Sequence, residues 1–129
     1  DGLWKDVKHY ALNENYRNAR EITEYVNRLL GMTVTSLGLD GGTVEHIALD
    51  EVRGAIADAG DDRIAVIYSA DDVATGEYLK TFVPPRQLYT VAQSKGMEYE
   101  RVYACGALGE TEKYVAYTRA LAKLYICER

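Results

Sequence analysis

Three polar clusters in this 129-residue chain hold the side chains best suited to chemistry. In NENYRNAREI, Tyr16 and Arg17 set an aromatic face and a guanidinium fork side by side ahead of a helix-forming stretch. Such a pair suits a base and a phosphate, although Tyr16 packed under the helix and Arg17 paired with Glu14 or Glu21 is the ordinary alternative. In TVAQSKGMEYERV, Lys95 and Gly96 follow a strand-like run and Glu98 comes two residues later. A glycine there lets backbone approach a ligand, and a carboxylate can accept hydrogen bonds from sugar hydroxyls; Lys-Gly pairs are also common turns. In EKYVAYTRALAKLYI, Thr118 and Arg119 interrupt an apolar stripe of Tyr114, Val115, Leu121 and Leu124 at helical spacing. An arginine bordering a core is either paired with an acid or kept for an anionic ligand.

The elements that would position these clusters are legible in the pattern. Ile22, Tyr25, Val26, Leu29 and Leu30 recur at helical spacing, with Gly31 as the stop. The segment from Val7 to Leu12 reads as a strand. MTVTSLGL and TVEHIAL read as two strands joined by a tight turn at Asp40, Gly41 and Gly42. Leu49 to Ala59 is expected to be helical, ended by Gly60. RIAVIYS is continuously apolar and β-branched, as in a strand buried on both faces of a parallel sheet. QLYTV, RVYAC and KLYIC are further strand candidates, with helices between them around Asp71 to Leu79 and over EKYVAYTRAL. Alternating strands and helices at this pitch predict one α/β layered domain, whose polar clusters fall where strands meet helices.

Composition limits what such a domain can do. The formal net charge is −5, with 47% hydrophobic and 27% charged residues, so the chain can bury a core but is not a basic nucleic-acid clamp. No apolar run approaches the roughly 18 residues needed to cross a bilayer, and no N-terminal segment combines basic, apolar and small-residue regions, so neither membrane insertion nor secretion is expected. Cys105 and Cys127 lie in strand-like runs without zinc or redox spacing, which reads as reduced, buried thiols in a cytosolic protein. His9 and His46 sit apart in apolar contexts, and no metal site is expected from them. Most of the 11 tyrosines fall in strands or on helix core faces, where an aromatic with a polar tip is at home. The chain starts at Asp1 with no initiator Met, which suggests a piece of a longer protein.

Taken in order, NYRN, then SKGMEYERV, then YVAYTRALAKLYI resembles motifs IV, V and VI of the UvrD/Rep-type superfamily 1 helicases, over roughly Asn13 to Ile126. The resemblance implies the second RecA-like motor domain, called 2A: a three-layer α/β domain with a mainly parallel sheet, facing an N-terminal RecA-like domain across an ATP cleft. It also implies roles. Tyr16 would stack on adenine, Arg17 and Arg119 would reach the γ-phosphate, and Gly96 and Glu98 would approach the nucleotide sugar. Lys95 and Thr90, with Gln93 and Ser94 as lesser candidates, would lie toward single-stranded DNA. Two guanidinium groups brought from a second domain can stabilise charge developing in phosphoryl transfer, as an arginine finger does.

The departures from that pattern are informative. Ala92 stands where the family commonly has a motif V histidine associated with the strand, and about 70 residues between motifs IV and V leave no room for a large inserted domain. Nothing matches GxxxxGK[ST], the loop that cradles phosphates and places a hydroxyl on magnesium; LGLDGGT lacks the lysine. Asp71 and Asp72 after RIAVIYSA read as a helix N-terminus rather than a magnesium site. The expectation is therefore half of an ATPase site, with ATP and Mg2+ held mostly by the other domain, and no hydrolysis or unwinding by this polypeptide alone. The competing expectation is a helicase-like regulatory or docking module.

Overall fold

The structure, a computed structural model, describes residues 15–59 and 63–129, and for Asn15 and Tyr16 the backbone alone. The strand expected over Val7 to Leu12, His9 and the Gly60 stop lie outside the described residues. In chain order the elements are β1 (Asn15–Tyr16), α1 (Arg20–Leu30), β2 (Thr35–Ser36), β3 (Thr43–Ala48), a 3-10 turn (Leu49–Glu51) and α2 (Val52–Asp58). There follow β4 (Ile64–Tyr68), α3 (Val73–Lys80), a second 3-10 turn (Pro85–Gln87), β5 (Leu88–Thr90), α4 (Val91–Ser94), β6 (Tyr99–Cys105), α5 (Glu110–Tyr117) and β7 (Ala120–Glu128).

Five strands form one sheet in the order β3-β7-β6-β4-β5, and every pairing in it is parallel. Alternation along each strand sends side chains to two cores. Ala65 and Ile67 of β4, Val102 and Ala104 of β6, and Leu124 and Ile126 of β7 face α1, α4 and α5, meeting Ile22, Val26, Val91, Ala116 and Tyr117. The alternate residues, Ile64 and Val66, Tyr103 and Cys105, and Cys127, meet Val52 of α2 and Leu79 of α3 on the other face. Strands buried on both faces need apolar side chains at successive positions, which is why RIAVIYS carries no polar alternation. The layering is α/β/α, as the pattern predicts.

Two local expectations need correcting. MTVTSLGL and TVEHIAL do not form a hairpin. Only Thr35 and Ser36 of the first run are extended, and they pair with β1, whereas β3 pairs with β7 from the far end of the chain. The Asp40-Gly41-Gly42 segment is a loop between two different sheets, held by Glu21, whose carboxylate accepts from the N–H groups of Gly41 and Gly42 at 2.9 and 3.0 Å. The last helix is also shorter than its periodicity suggests. It ends at Tyr117, where the Thr118 hydroxyl donates to the Tyr114 carbonyl at 2.7 Å, so Leu121 and Leu124 belong to β7. The predicted buried thiols are found: Cys105 and Cys127 are free and buried.

Candidate functional site

The parallel sheet brings the ends of distant segments to its edges, and at the amino-terminal edge of β6 and β7 three of them meet. Arg17 to Ala19 precede α1, Lys95 to Glu98 lead into β6, and Thr118 and Arg119 lead into β7. Backbone and side-chain bonds knit them together. Ala19 N–H donates to the Leu121 carbonyl at 2.7 Å, and Tyr99 N–H donates to the Arg119 carbonyl at 2.8 Å. Asn18, buried, donates through Nδ2 to the carbonyls of Thr118 and Ala120 at 2.7 and 2.6 Å, one on each side of Arg119.

Arg119 is thereby fixed at its backbone, and its side chain is fixed as well. Nε donates to the Val115 carbonyl at 3.0 Å, Nη1 to the Met97 carbonyl at 3.1 Å and Nη2 to the Thr118 hydroxyl at 3.1 Å. All three acceptors are neutral. Burial draws the guanidinium below its ordinary pKa, offset by Tyr114, Glu98 and Tyr99, and an arginine so placed keeps its charge. Arg17 comes to the next residue along: its Nη2 lies 2.6 Å from Glu98 Oε1, across 81 residues of sequence. The two guanidinium groups thus hold adjacent residues, Met97 and Glu98, of one short turn. Gly96 in that turn has φ +79°, a conformation L side chains rarely adopt, and a Cβ built there would meet nothing within 4 Å. The backbone is open to an approaching group.

The remaining sequence-predicted residues divide. The side chain of Tyr16 lies outside what is described. Lys95 is exposed on the turn. Thr90 and Gln93 cap α4 reciprocally, Gln93 N–H donating to Thr90 Oγ1 at 3.3 Å and Thr90 N–H to Gln93 Oε1 at 2.9 Å. They also line a cleft of about 500 Å³ with Tyr68 and Lys80, at the carboxyl ends of β4 and β5. Ser94 is fully buried and donates to the Val91 carbonyl at 2.7 Å, so its hydroxyl shapes the helix turn. Ala92 is exposed.

Sequence reasoning missed Asn18. Its signal is a buriable amide directly between an arginine and a helix start, but nothing local says that its partners lie 100 and 102 residues away. It also missed Tyr68 and Lys80 as neighbours of Thr90, since they reach the cleft from another strand and helix.

The fold is similar to that of two solved helicase structures. One is the C-terminal domain of a possible DNA helicase from Lactobacillus plantarum WCFS1, 21% identical, with a TM-score of 0.57 over 88% of this chain and 86% of that one. The other is the PRRSV nsp10 helicase, 13% identical, with a TM-score of 0.54 over 88% of this chain and 23% of that one. No protein-family model matches the sequence, and no curated protein does. At these identities the likeness is one of architecture: an α/β domain with an all-parallel five-stranded sheet, as in helicase C-terminal RecA-like domains.

Proposed function

We propose that this chain is the second motor domain of an ATP-dependent DNA helicase or translocase of the UvrD/Rep type, contributing one wall of an ATP site shared with an N-terminal RecA-like domain. The observation that carries the reading is the convergence of Arg17 and Arg119 on Met97 and Glu98. A partly buried guanidinium whose donors meet only neutral oxygens among the described residues keeps its charge available to an anion, and a second guanidinium stands beside the same turn. In this reading both arginines reach the γ-phosphate, Tyr16 stacks on adenine, and Gly96 and Glu98 approach the sugar. Lys95, Thr90 and Gln93 lie toward single-stranded DNA.

The nucleotide's metal would be held by the other domain. Among the described residues no three or more His, Cys, Asp or Glu are gathered to hold an ion. Bound there, Mg2+ would neutralise charge on the phosphates. This chain's part is electrostatic: its arginines complete the positive frame when the domains close, which couples closure to hydrolysis. The isolated chain is therefore expected to show no steady ATP turnover; turnover above an Arg17→Ala, Arg119→Ala control overturns the reading. In the protein with both motor domains, Arg119→Ala lowers the DNA-stimulated ATPase rate on the order of 100-fold or more.

A second reading, a helicase-like docking module without motor activity, is favoured by Ala92 in place of the motif V histidine. A phosphate loop upstream of this segment in the same polypeptide argues for the motor, and its absence for the module.

A further inference from the structure

We propose that Glu98 is an exchangeable internal counter-ion of the arginine pair: its carboxylate and an incoming phosphate compete for the same face of Arg17. The inference rests on reading Arg17 and Arg119 as phosphate-binding residues, and adds what sets their affinity and the order in which the site engages a nucleotide.

Glu98 is the carboxylate within ion-pair distance of Arg17 among the described residues, at 2.6 Å. The pair is made at the surface, with the Arg17 side chain 73% exposed and that of Glu98 34%. An ion pair this exposed is weak and easily exchanged. Among the described residues the Arg119 side chain hydrogen-bonds only neutral oxygens, and Glu98, next to its acceptor Met97, is the acid that acts on its charge. One carboxylate therefore offsets two guanidinium groups. Lys95 is exposed on the same turn, and Glu100 is exposed two residues beyond Glu98.

A carboxylate and a phosphate present similar oxygens to the guanidinium fork, but a polyphosphate brings more charge and can meet both arginines at once. It displaces Glu98 where a single acetate-like group would not. The released carboxylate is then free to accept hydrogen bonds from hydroxyls at the Gly96 turn. Phosphate engagement thus precedes sugar engagement, and a nucleoside without phosphates cannot free its own acceptor. No covalent bond changes in the exchange.

The test is calorimetric titration of inorganic tripolyphosphate into this 129-residue protein, with its fold checked by circular dichroism. Glu98→Gln is expected to bind about three- to tenfold tighter than wild type, with a gain that shrinks as salt is added. Glu98→Asp, which keeps the charge, stays within about twofold of wild type, and the gain from Glu98→Gln vanishes when Arg17 is alanine. Unchanged or weaker binding by Glu98→Gln, or an equal gain with Ala at position 17, overturns the exchange. If Arg119→Ala abolishes binding while Glu98→Gln has no effect, the exchange fails and the phosphate-binding pair stands. If Glu98→Gln tightens binding through Arg17 while Arg119→Ala binds as wild type, the exchange stands and the two-arginine reading fails. Absence of binding by every variant overturns both.

Discussion

Asn18 does more for the candidate site than its chemistry suggests. Its two Nδ2 bonds grip the peptide on either side of Arg119, so a neutral amide sets where a charged side chain begins. A buried amide bonded this way contributes through the cost of leaving its partners unpaired, which exceeds the net worth of the bonds themselves. Asn18→Ala strips the Thr118 and Ala120 carbonyls of these partners and is expected to cost about 2–3 kcal/mol in urea denaturation. The same variant should weaken tripolyphosphate binding although residue 18 carries no charge. A loss of stability with unchanged binding would show that Arg119 is positioned without it. Arg17, Glu98 and Arg119 stood out in the sequence through the order of the three motifs and the resemblance it carries, and the structure sets Arg17 and Arg119 beside one turn. Asn18 did not stand out, because only the three-dimensional path shows that the approach to α1 and the start of β7 touch.

Elements were legible where burial imposes a pattern and illegible where a partner is remote. β4 announces itself because both of its faces are covered, and α1 because a single face is. The false hairpin at β2 and β3 arose because Asp-Gly-Gly is a turn signal in sequence whether the flanking strands pair with each other or with others. The same loop shows how tightly it is held: a Cβ on Gly38 would run into the carbonyl oxygen of Asn18 and stand 2.8 Å from that of Arg17. Gly38→Ala must therefore push on the segment that carries Arg17. The start of α3 is set by Asp72, whose Oδ1 accepts from Thr75 N–H at 3.3 Å and Arg129 Nη2 at 2.8 Å. Its Oδ2 accepts from the Thr75 hydroxyl at 2.7 Å and Ala107 N–H at 2.9 Å. The Thr75 hydroxyl and then the Ala107 N–H hold its carboxyl below the ordinary value. A depressed carboxylate stabilises the fold fully above its unfolded pKa of about 3.9 and loses that contribution as the pH falls through the folded value. Asp72→Ala is accordingly expected to cost about 1–2 kcal/mol near neutral pH. The difference from wild type should narrow below about pH 4; a gap that stays constant into acid would assign the loss to packing.

At the scale of the whole molecule, the sheet separates two cores, and Cys105 and Cys127, register partners on β6 and β7, both lie in the core under α2 and α3. The neighbouring Cys127 thiol and burial raise Cys105 well above its ordinary pKa, which suppresses the reactive thiolate. Both thiols should resist an aromatic disulfide reagent in the native state and react together at the rate of global opening. Independent early reaction of either would mean that this core opens locally. The parallel architecture was predictable from alternating strands and helices, but strand order was not, because no local signal places β7 beside β3. That placement has a consequence for how the chain is made. β7 is the last of the five strands in sequence and yet lies inside the sheet, flanked by β3 and β6. While a ribosome is still extending the chain toward Ala120, β3 and β6 each display an unsatisfied ladder of peptide groups, ready to template a foreign strand. The nascent domain has a seat with no occupant until its final strand arrives, and Asn18 has nothing to bond until that moment.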